Sequence, residues 1–425
     1  MSGTTLHLRE IPMRARCVKS IGLMVALLLA ACDTSVSNPG PVEDEFLSDP
    51  GAQTALVNGA GRALATGINW IGYTGAAVAR EIHPAGSTGS FGITNRWQNG
   101  ELNADDGDLN DHWELAQRAR WVAEETVRRI EDAGARTDNL KQQAYLWAGF
   151  ANRVLGENMC EAVIDGGAAE PNNVFFQRAE EHFTKAIAVQ SGTMATAAYA
   201  GRASARMYLG KWNEAVTDAA QVPTAFVYNL PYYNIGEDAQ RNRIFFSIGN
   251  TPYRAHTQWN TWYDEYRKAS NDPRVPITIT TMQGDAAIEC CGRVPFWPQA
   301  KHNSSAAPIR LASGREMRLI EAEALLRTGD VGGAVDRINQ ARTQAVATPI
   351  TASNLNEAWT LLKRERGIEL WLEARRLGDL RRWKDANTPG TLHELESVGA
   401  ASHLVRQDLC FPISRSERDT NPNLR

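Results

Sequence analysis

The chain has 425 residues, 43% hydrophobic and 22% charged, a balance that fits a folded protein and excludes a disordered one. Its formal charge is −4, and because Arg9, Arg14, Arg16 and Lys19 against Glu10 contribute +3, the part from Cys32 onward carries −7. No basic block stands out to release counterions from a polyanion, so nucleic acid is excluded as a partner.

At the N-terminus Arg14, Arg16 and Lys19 precede the apolar run IGLMVALLLAA (21–31), which ends at Cys32. A bilayer-spanning helix needs about 20 apolar residues, so this shorter run behind basic residues reads as a secretory signal peptide over 1–31. LAAC (29–32) resembles a bacterial lipobox, in which the Cys is acylated after cleavage, and Met13 can serve as the start of such a leader. Several acyl chains attach a protein stably to a membrane. The expectation is therefore an anchor at Cys32, a flexible tether over 32–45 (DTSVSNPGPVEDE from residue 33), and no later spanning segment.

Four acids follow in NADDGDLND (103–111): Asp105, Asp106, Asp108 and Asp111. Hard oxygen ligands of this kind can hold calcium, but the twelve-residue loop pattern is missing, and a solvated turn before a helix is the reading. Apolar residues then recur at helical spacing over 113–132, 141–156, 175–190, 195–209, 212–220, 315–328, 331–345 and 354–384. Strand signals are few, the best being RIFFSIGN (243–250) and VPITIT (275–280). The chain reads as mostly α.

The helices come in pairs with a shared grammar. Gly210 stands five residues before Ala215 and Gly329 five before Ala334, the spacing of a tetratricopeptide-type unit in which Gly turns the chain and Ala lets the second helix lie close. Ala179, Phe183 and Ala186 repeat the small-residue pattern of Ala334, Ile338 and Ala341. These helix-pair repeats occupy about 141–220 and 315–345, separated by a large irregular region, 221–314, and followed by a C-terminal helix and tail, 354–425. A repeat scaffold with an inserted binding region fits better than a regular solenoid.

Twelve tryptophans are many for this length. Trp113, Trp121, Trp147, Trp212, Trp359, Trp371 and Trp383 fall on predicted helices and are expected in the core, with Trp70 at a helix edge. Trp97, Tyr253, Trp259, Trp262, Tyr263 and Trp297 fall in predicted loops, with Tyr266 near by, where flat apolar faces could stack against sugar rings. These six are the ligand-binding candidates.

KRERGIELWLEARRLGDLRRW (363–383) places Glu365, Glu369 and Glu373 at i, i+4 and i+8. With Arg366 three residues before Glu369 and Arg376 three after Glu373, ion pairing along one helix accounts for the row. A glycosidase needs two carboxyls facing each other across a cleft, one with a raised pKa. No HExxH, GxSxG, Walker loop or GxGxxG occurs. No catalytic residue, cofactor or metal is expected. After Cys17 and Cys32, four cysteines remain for disulfides in an oxidising compartment, Cys160, Cys290, Cys291 and Cys410, with three pairings open. Zinc-type CxxC spacing with histidine partners is not seen.

The lipobox at Cys32, DPRVP (272–276), PIRLASGREMRLIEAEALLRTGD (308–330), RERGIELWLEARRLGDLRRW (364–383) and the ending LCFPISRSERDTNPNLR (409–425) together resemble the SusD/RagB family of outer-membrane nutrient-binding lipoproteins. The resemblance runs from Cys32 to Arg425 and is strongest after residue 308, with Ser414 where a second Pro is common. It implies a SusD-like α-helical fold with tetratricopeptide-type pairs in a single domain, 46–425. It also implies a cell-surface lipoprotein that binds an oligosaccharide or other nutrient and delivers it to a SusC-like TonB-dependent transporter without bond cleavage. Asp33 beside the lipidated Cys bears on membrane sorting, so the outer-membrane location rests on the family. A surface glycan hydrolase and a tetratricopeptide assembly scaffold are the competing readings.

Overall fold

The computed structural model describes residues 44–88, 93–235, 240–249, 253–399 and 402–424; the signal peptide, Cys32 and nearly all of the tether lie outside the described residues. The chain falls into two units, Met1–Phe46 and Leu47–Arg425, and the fold is that of the second.

Helix α1 (Gln53–Val78) is a long element that the sequence pattern does not announce. Its glycines each lower helix propensity by about 1 kcal/mol relative to Ala, and for Gly67 and Gly72 the reason is contact. A Cβ on Gly67 would lie 3.3 Å from the Leu115 carbonyl, and one on Gly72 would lie 3.4 Å from Ala374. Close approach of neighbouring backbones, not propensity, selects these residues. Strand β1 (His83–Pro84) and the short α2 (Asn95–Gln98) lead to α3 (Asp108–Ala133) and α4 (Asp138–Asn158), both packed on α1. A short hairpin, β2 (Glu161–Val163) with β3 (Ala169–Pro171), follows.

Then come the paired helices: α5 (Asn173–Val189), α6 (Thr193–Tyr208) and α7 (Trp212–Ala219). Phe183 of α5 is the wedge. Its ring would lie 2.6 Å from a Cβ on Gly149 of α4 and 2.3 Å from one on Gly201 of α6. Gly210 turns α6 into α7 at φ +74°, a left-handed position that an L side chain strains to adopt.

The irregular region is fastened at both ends by one antiparallel pair. β4 (Val227–Leu230) matches β6 (Ile309–Ser313), with Val227 opposite Ser313 and Leu230 opposite Ile309. Within the region β5 (His256–Thr257) pairs with β1, and α8 (Trp262–Ser270) is capped by Thr261, which accepts the Asp264 N–H. The two strands expected at 243–250 and 275–280 do not form. Phe245–Gly249 is a wide helical turn, and 275–280 contributes a single bridge, Ile277 with Gln299. Aromatic and β-branched content favours a pleated surface only where a partner strand lies alongside.

Helices α9 (Gly314–Arg327) and α10 (Val331–Gln344) resume the pairing, joined by Gly329 at φ +83°. Because α9 packs on α7 and α6, pairs far apart in sequence stand side by side in space. The expected helix over 354–384 is broken in two, α11 (Leu355–Glu369) and α12 (Arg376–Asp385). Leu372 (φ 58°) and Ala374 (φ 62°) between them are left-handed, and a helix ends where its residues leave αR. Helix α13 (Arg415–Thr420) closes the chain against α3. No described helix is long and apolar enough to cross a membrane.

Candidate functional site

The break after α11 changes the partners of the glutamate row. Glu365 receives Arg342 at 2.5 Å and Arg274 at 2.7 Å; Glu369 receives Arg310 and Arg315, both at 2.7 Å; Glu373 receives Lys301 at 2.6 Å and Arg310 at 2.8 Å. All three carboxylates are buried. Burial pushes the Glu373 carboxyl up, but Arg310 and Lys301 outweigh it and hold its pKa below the usual range. The neighbours expected from helical spacing are occupied elsewhere: Arg366 pairs with Asp379 at 2.8 Å and Arg376 with Glu396 at 2.6 Å. Tertiary charges, not i±3 neighbours, satisfy the row. Arg375 likewise ties α12 to α4 and α9 through Glu157 (2.9 Å) and Glu316 (2.6 Å). This arginine-rich stretch is a buried ion-pair scaffold.

Burial raises the carboxyls of Glu81, Glu157 and Glu321, and Glu81 is brought up to about 7 against the opposing pull of the Leu372 N–H, Arg376 and Lys301. Glu81 Oε1 accepts the Leu372 N–H at 3.0 Å and the Tyr263 hydroxyl at 3.3 Å, which stabilises the left-handed turn. In the acidic turn, Asp105 is bound by Arg418, and Asp106 accepts from Thr94 and from the Asp108 N–H.

Of the six aromatic candidates, three are core residues, and the loop assignment is corrected for them. Trp97 lies on α2, wholly buried edge-on to His112 at 4.9 Å. Trp262 and Tyr263 open α8, their rings 3.9 Å apart, and Tyr263 stacks on Trp371 at 5.1 Å. A Thr-x-x-Asp cap at 261–264 was the signal that could have revealed this helix. Trp121, expected in the core, is 52% exposed on α3.

Tyr253, Trp259 and Trp297 do reach the surface. Tyr253 is 47% exposed, and both indoles are half-buried. The Thr257 Oγ1 accepts the N–H of Trp259 at 3.1 Å and of Trp297 at 2.8 Å, so a single buried hydroxyl sets both backbones. Trp259 meets the His83 ring edge-on at 5.2 Å, and the Lys268 ammonium lies 5.0 Å from the Trp297 ring.

Beside this pair a hairpin, 282–296, presses on the 84–99 segment, so tightly that a Cβ on Gly284 would fall 1.7 Å from the Ala85 carbonyl. Between them is a polar cleft of about 110 Å³ lined by Thr88, Asn95, Asn99, Glu289 and His403 among others. A larger cavity, about 420 Å³, lies between α8 and α11 with Trp262, Tyr266, Lys363 and Arg364 on its walls. Its aromatic faces are already covered: Trp262 lies between Tyr263 and His393, and the Arg364 guanidinium sits 5.2 Å from the Tyr266 ring. A third, about 340 Å³, brings Arg62, Trp147, Tyr233 and Gln240 together, residues from three distant segments that no sequence pattern links.

The cysteines pair as Cys160–Cys410 and Cys290–Cys291. The first fastens the C-terminal tail to the end of α4, where Cys160 N–H donates to Phe411 O at 3.0 Å. The second sits at the tip of the 282–296 hairpin.

Residues 298–425 match the SusD family model. The fold agrees across nearly the whole chain. A SusD-like protein of Bacteroides fragilis superposes with a TM-score of 0.65 at 14% identity, covering 90% of this chain and 98% of its own. A surface glycan-binding protein A of Bacteroides uniformis gives 0.63 at 14%, covering 87% and 98%. A structure solved with xylogluco-oligosaccharide gives 0.62 at 14%, covering 88% and 98%. The C-terminal segment 298–425 is thus SusD-like in sequence, and the fold around it is a SusD-like α-helical fold. Among curated proteins none matches the sequence. The ion-pair scaffold of α9, α11 and α12 thus lies within the SusD-family segment, and most of the aromatic region lies before it.

Proposed function

We propose that this SusD-like chain is a lipid-anchored, outer-membrane surface protein that binds an oligosaccharide and passes it to a SusC-like TonB-dependent barrel. The observation that carries the reading is the Trp259–Trp297 pair. Two half-buried indoles fixed by one threonine stand beside a cleft of amides and hydroxyls, on a fold shared with a surface glycan-binding protein and with a structure holding a xylogluco-oligosaccharide. Indole faces stack on the apolar faces of sugar rings, and a few polar groups then fix orientation. Tyr253, beside Phe246, is a further exposed ring of the irregular region. The leader and Cys32 supply the anchor, and cleavage of the glycan is not part of the reading. The glutamate row is neutralised by arginines, and Glu81 is buried on a backbone N–H instead of facing a cleft.

The test is calorimetric titration of the purified chain with a panel of oligosaccharides that includes xyloglucan fragments. Trp259→Ala and Trp297→Ala should each weaken binding about tenfold, from about 1 kcal/mol of stacking and the apolar area lost with the ring. The glycan should be recovered intact, and mild detergent extraction of the native lipoprotein should bring a TonB-dependent barrel with it. Undiminished binding by the double variant would remove the site; altered glycan chain length would remove the binding-only reading.

A further inference from the structure

The tip of the 282–296 hairpin brings Cys290 against two histidines from opposite ends of the chain. One donor atom each from His83, Cys290 and His403 lies within 4.8 Å of the others, and the two imidazole centroids are 4.9 Å apart. The rings are already oriented. His83 Nδ1 lies 2.7 Å from Pro84 O and His403 Nε2 lies 2.8 Å from Gln98 O, and since a carbonyl only accepts, each of those nitrogens carries the proton. The remaining nitrogens, His83 Nε2 and His403 Nδ1, are buried lone pairs without a hydrogen-bond partner among the described residues. His83 is wholly buried. A buried acceptor left without a donor is destabilising, and imidazoles whose far N–H is held by a carbonyl have the arrangement that orients metal-ligating histidines.

We propose that His83 Nε2, His403 Nδ1 and the thiolate of Cys290 bind a thiophilic d10 metal ion, and that this ion and the Cys290–Cys291 disulfide exclude each other. Two imidazoles and one thiolate suit Cu⁺ or Zn²⁺. Charge ranks the two ions. The buried Arg80 guanidinium hydrogen-bonds to the carbonyls of Leu395, Ile82 and Asn260 and acts on both histidines as a positive charge. Cu⁺ with one thiolate adds no net charge beside it, whereas Zn²⁺ adds one. Tetrahedral or trigonal coordination at metal–ligand distances of about 2.0–2.3 Å requires donors about 3.3–4 Å apart, so the exposed hairpin tip closes on the histidines by roughly 1 Å. With the disulfide closed, Cys290 has no thiolate to give. A phosphine opens it by taking oxygen from water as two thiols form, and Cys290 loses its proton to solvent as the S–metal bond is made.

The experiment uses the tag-free full-length protein, with and without phosphine reduction under nitrogen, titrated with Cu⁺ against a colorimetric Cu⁺ chelator and separately with Zn²⁺. The reduced protein should withdraw one equivalent of ion, with X-ray absorption showing nitrogen and sulfur ligands. The disulfide form should hold it at least tenfold more weakly. His83→Gln/His403→Gln should lose the ion. Because His83 is buried, His403→Gln and Cys290→Ser, each checked by circular dichroism, keep the test valid if the double variant does not fold. Retention of Zn²⁺ alone would support the site and reverse the charge ranking. No ion held, or equal retention by the folded variants, would overturn the proposal.

Discussion

At the residue scale, the buried charges are held by partners that can be removed one at a time. Asp272 is raised by burial but lowered further by the Arg274 guanidinium at 2.6 Å, leaving its pKa at about 2. A carboxyl whose folded pKa lies below its unfolded value contributes stability above about pH 4 and loses it as pH falls through the folded value. Asp272→Asn should therefore cost about 2 kcal/mol in urea unfolding at pH 7, and the difference from wild type should vanish near pH 2. Histidines give a window at higher pH. Burial lowers His256, which bridges the Tyr73 hydroxyl and the Gln98 amide at 2.7 Å each, to about 3. The unfolded chain takes up the proton first, so stability falls as pH drops below about 6.5. His256→Gln should remove about 2 kcal/mol of the loss between pH 7 and pH 5. An unchanged pH dependence would show that this ring is not the linked group. Asp272 and Arg274 stand two residues apart, but the Tyr73–His256 and Gln98–His256 contacts were not legible in the sequence, because they join residues 183 and 158 positions apart.

At the element scale, helical periodicity was a reliable guide wherever one face of a helix is apolar, and it failed at α1 and across 370–375. Small residues explain the first failure. The glycines of α1 blur the periodic signal while allowing α3 and the 374 turn to approach. The second has a different cause. Leu372 and Ala374 adopt left-handed backbone in a sequence that favours helix, and the compensation comes from Glu81, Lys301 and Asn158, which hydrogen-bond to the Leu372 N–H, Trp371 O and Ala374 O. Small-residue packing is also testable. Gly201→Ala drives a methyl into the Phe183 ring and should destabilise the fold by about 1–3 kcal/mol in chemical denaturation. Gly210→Ala meets open space, so it should cost only the left-handed strain, about 1 kcal/mol. Equal effects would mean that the wedge does not act as described.

At the scale of the whole molecule, stability depends on long-range closures. The β4–β6 pair fastens the irregular region at its two ends, and Cys160–Cys410 joins the tail to α4 across 250 residues. Removing that disulfide with Cys160→Ser/Cys410→Ser should cost about 2–5 kcal/mol, read as a lower unfolding midpoint without reductant and no difference from wild type with it. The same closures carry the aromatic surface. They bury Trp97, Trp262 and Tyr263 and leave Trp259 and Trp297 partly exposed, although all five have the same chemistry in the sequence.

The sequence by itself determined what is local: most helix spans, the turn glycines Gly210 and Gly329, the SusD-like C-terminal stretch and a composition without basic blocks. Each is written within a few turns of chain, where backbone geometry repeats. Only the tertiary structure decided which arginine meets Glu369, which aromatics stay partly exposed, and that His83, Cys290 and His403 converge. Those outcomes depend on side chains meeting through space across as many as 320 positions, and no local period encodes them.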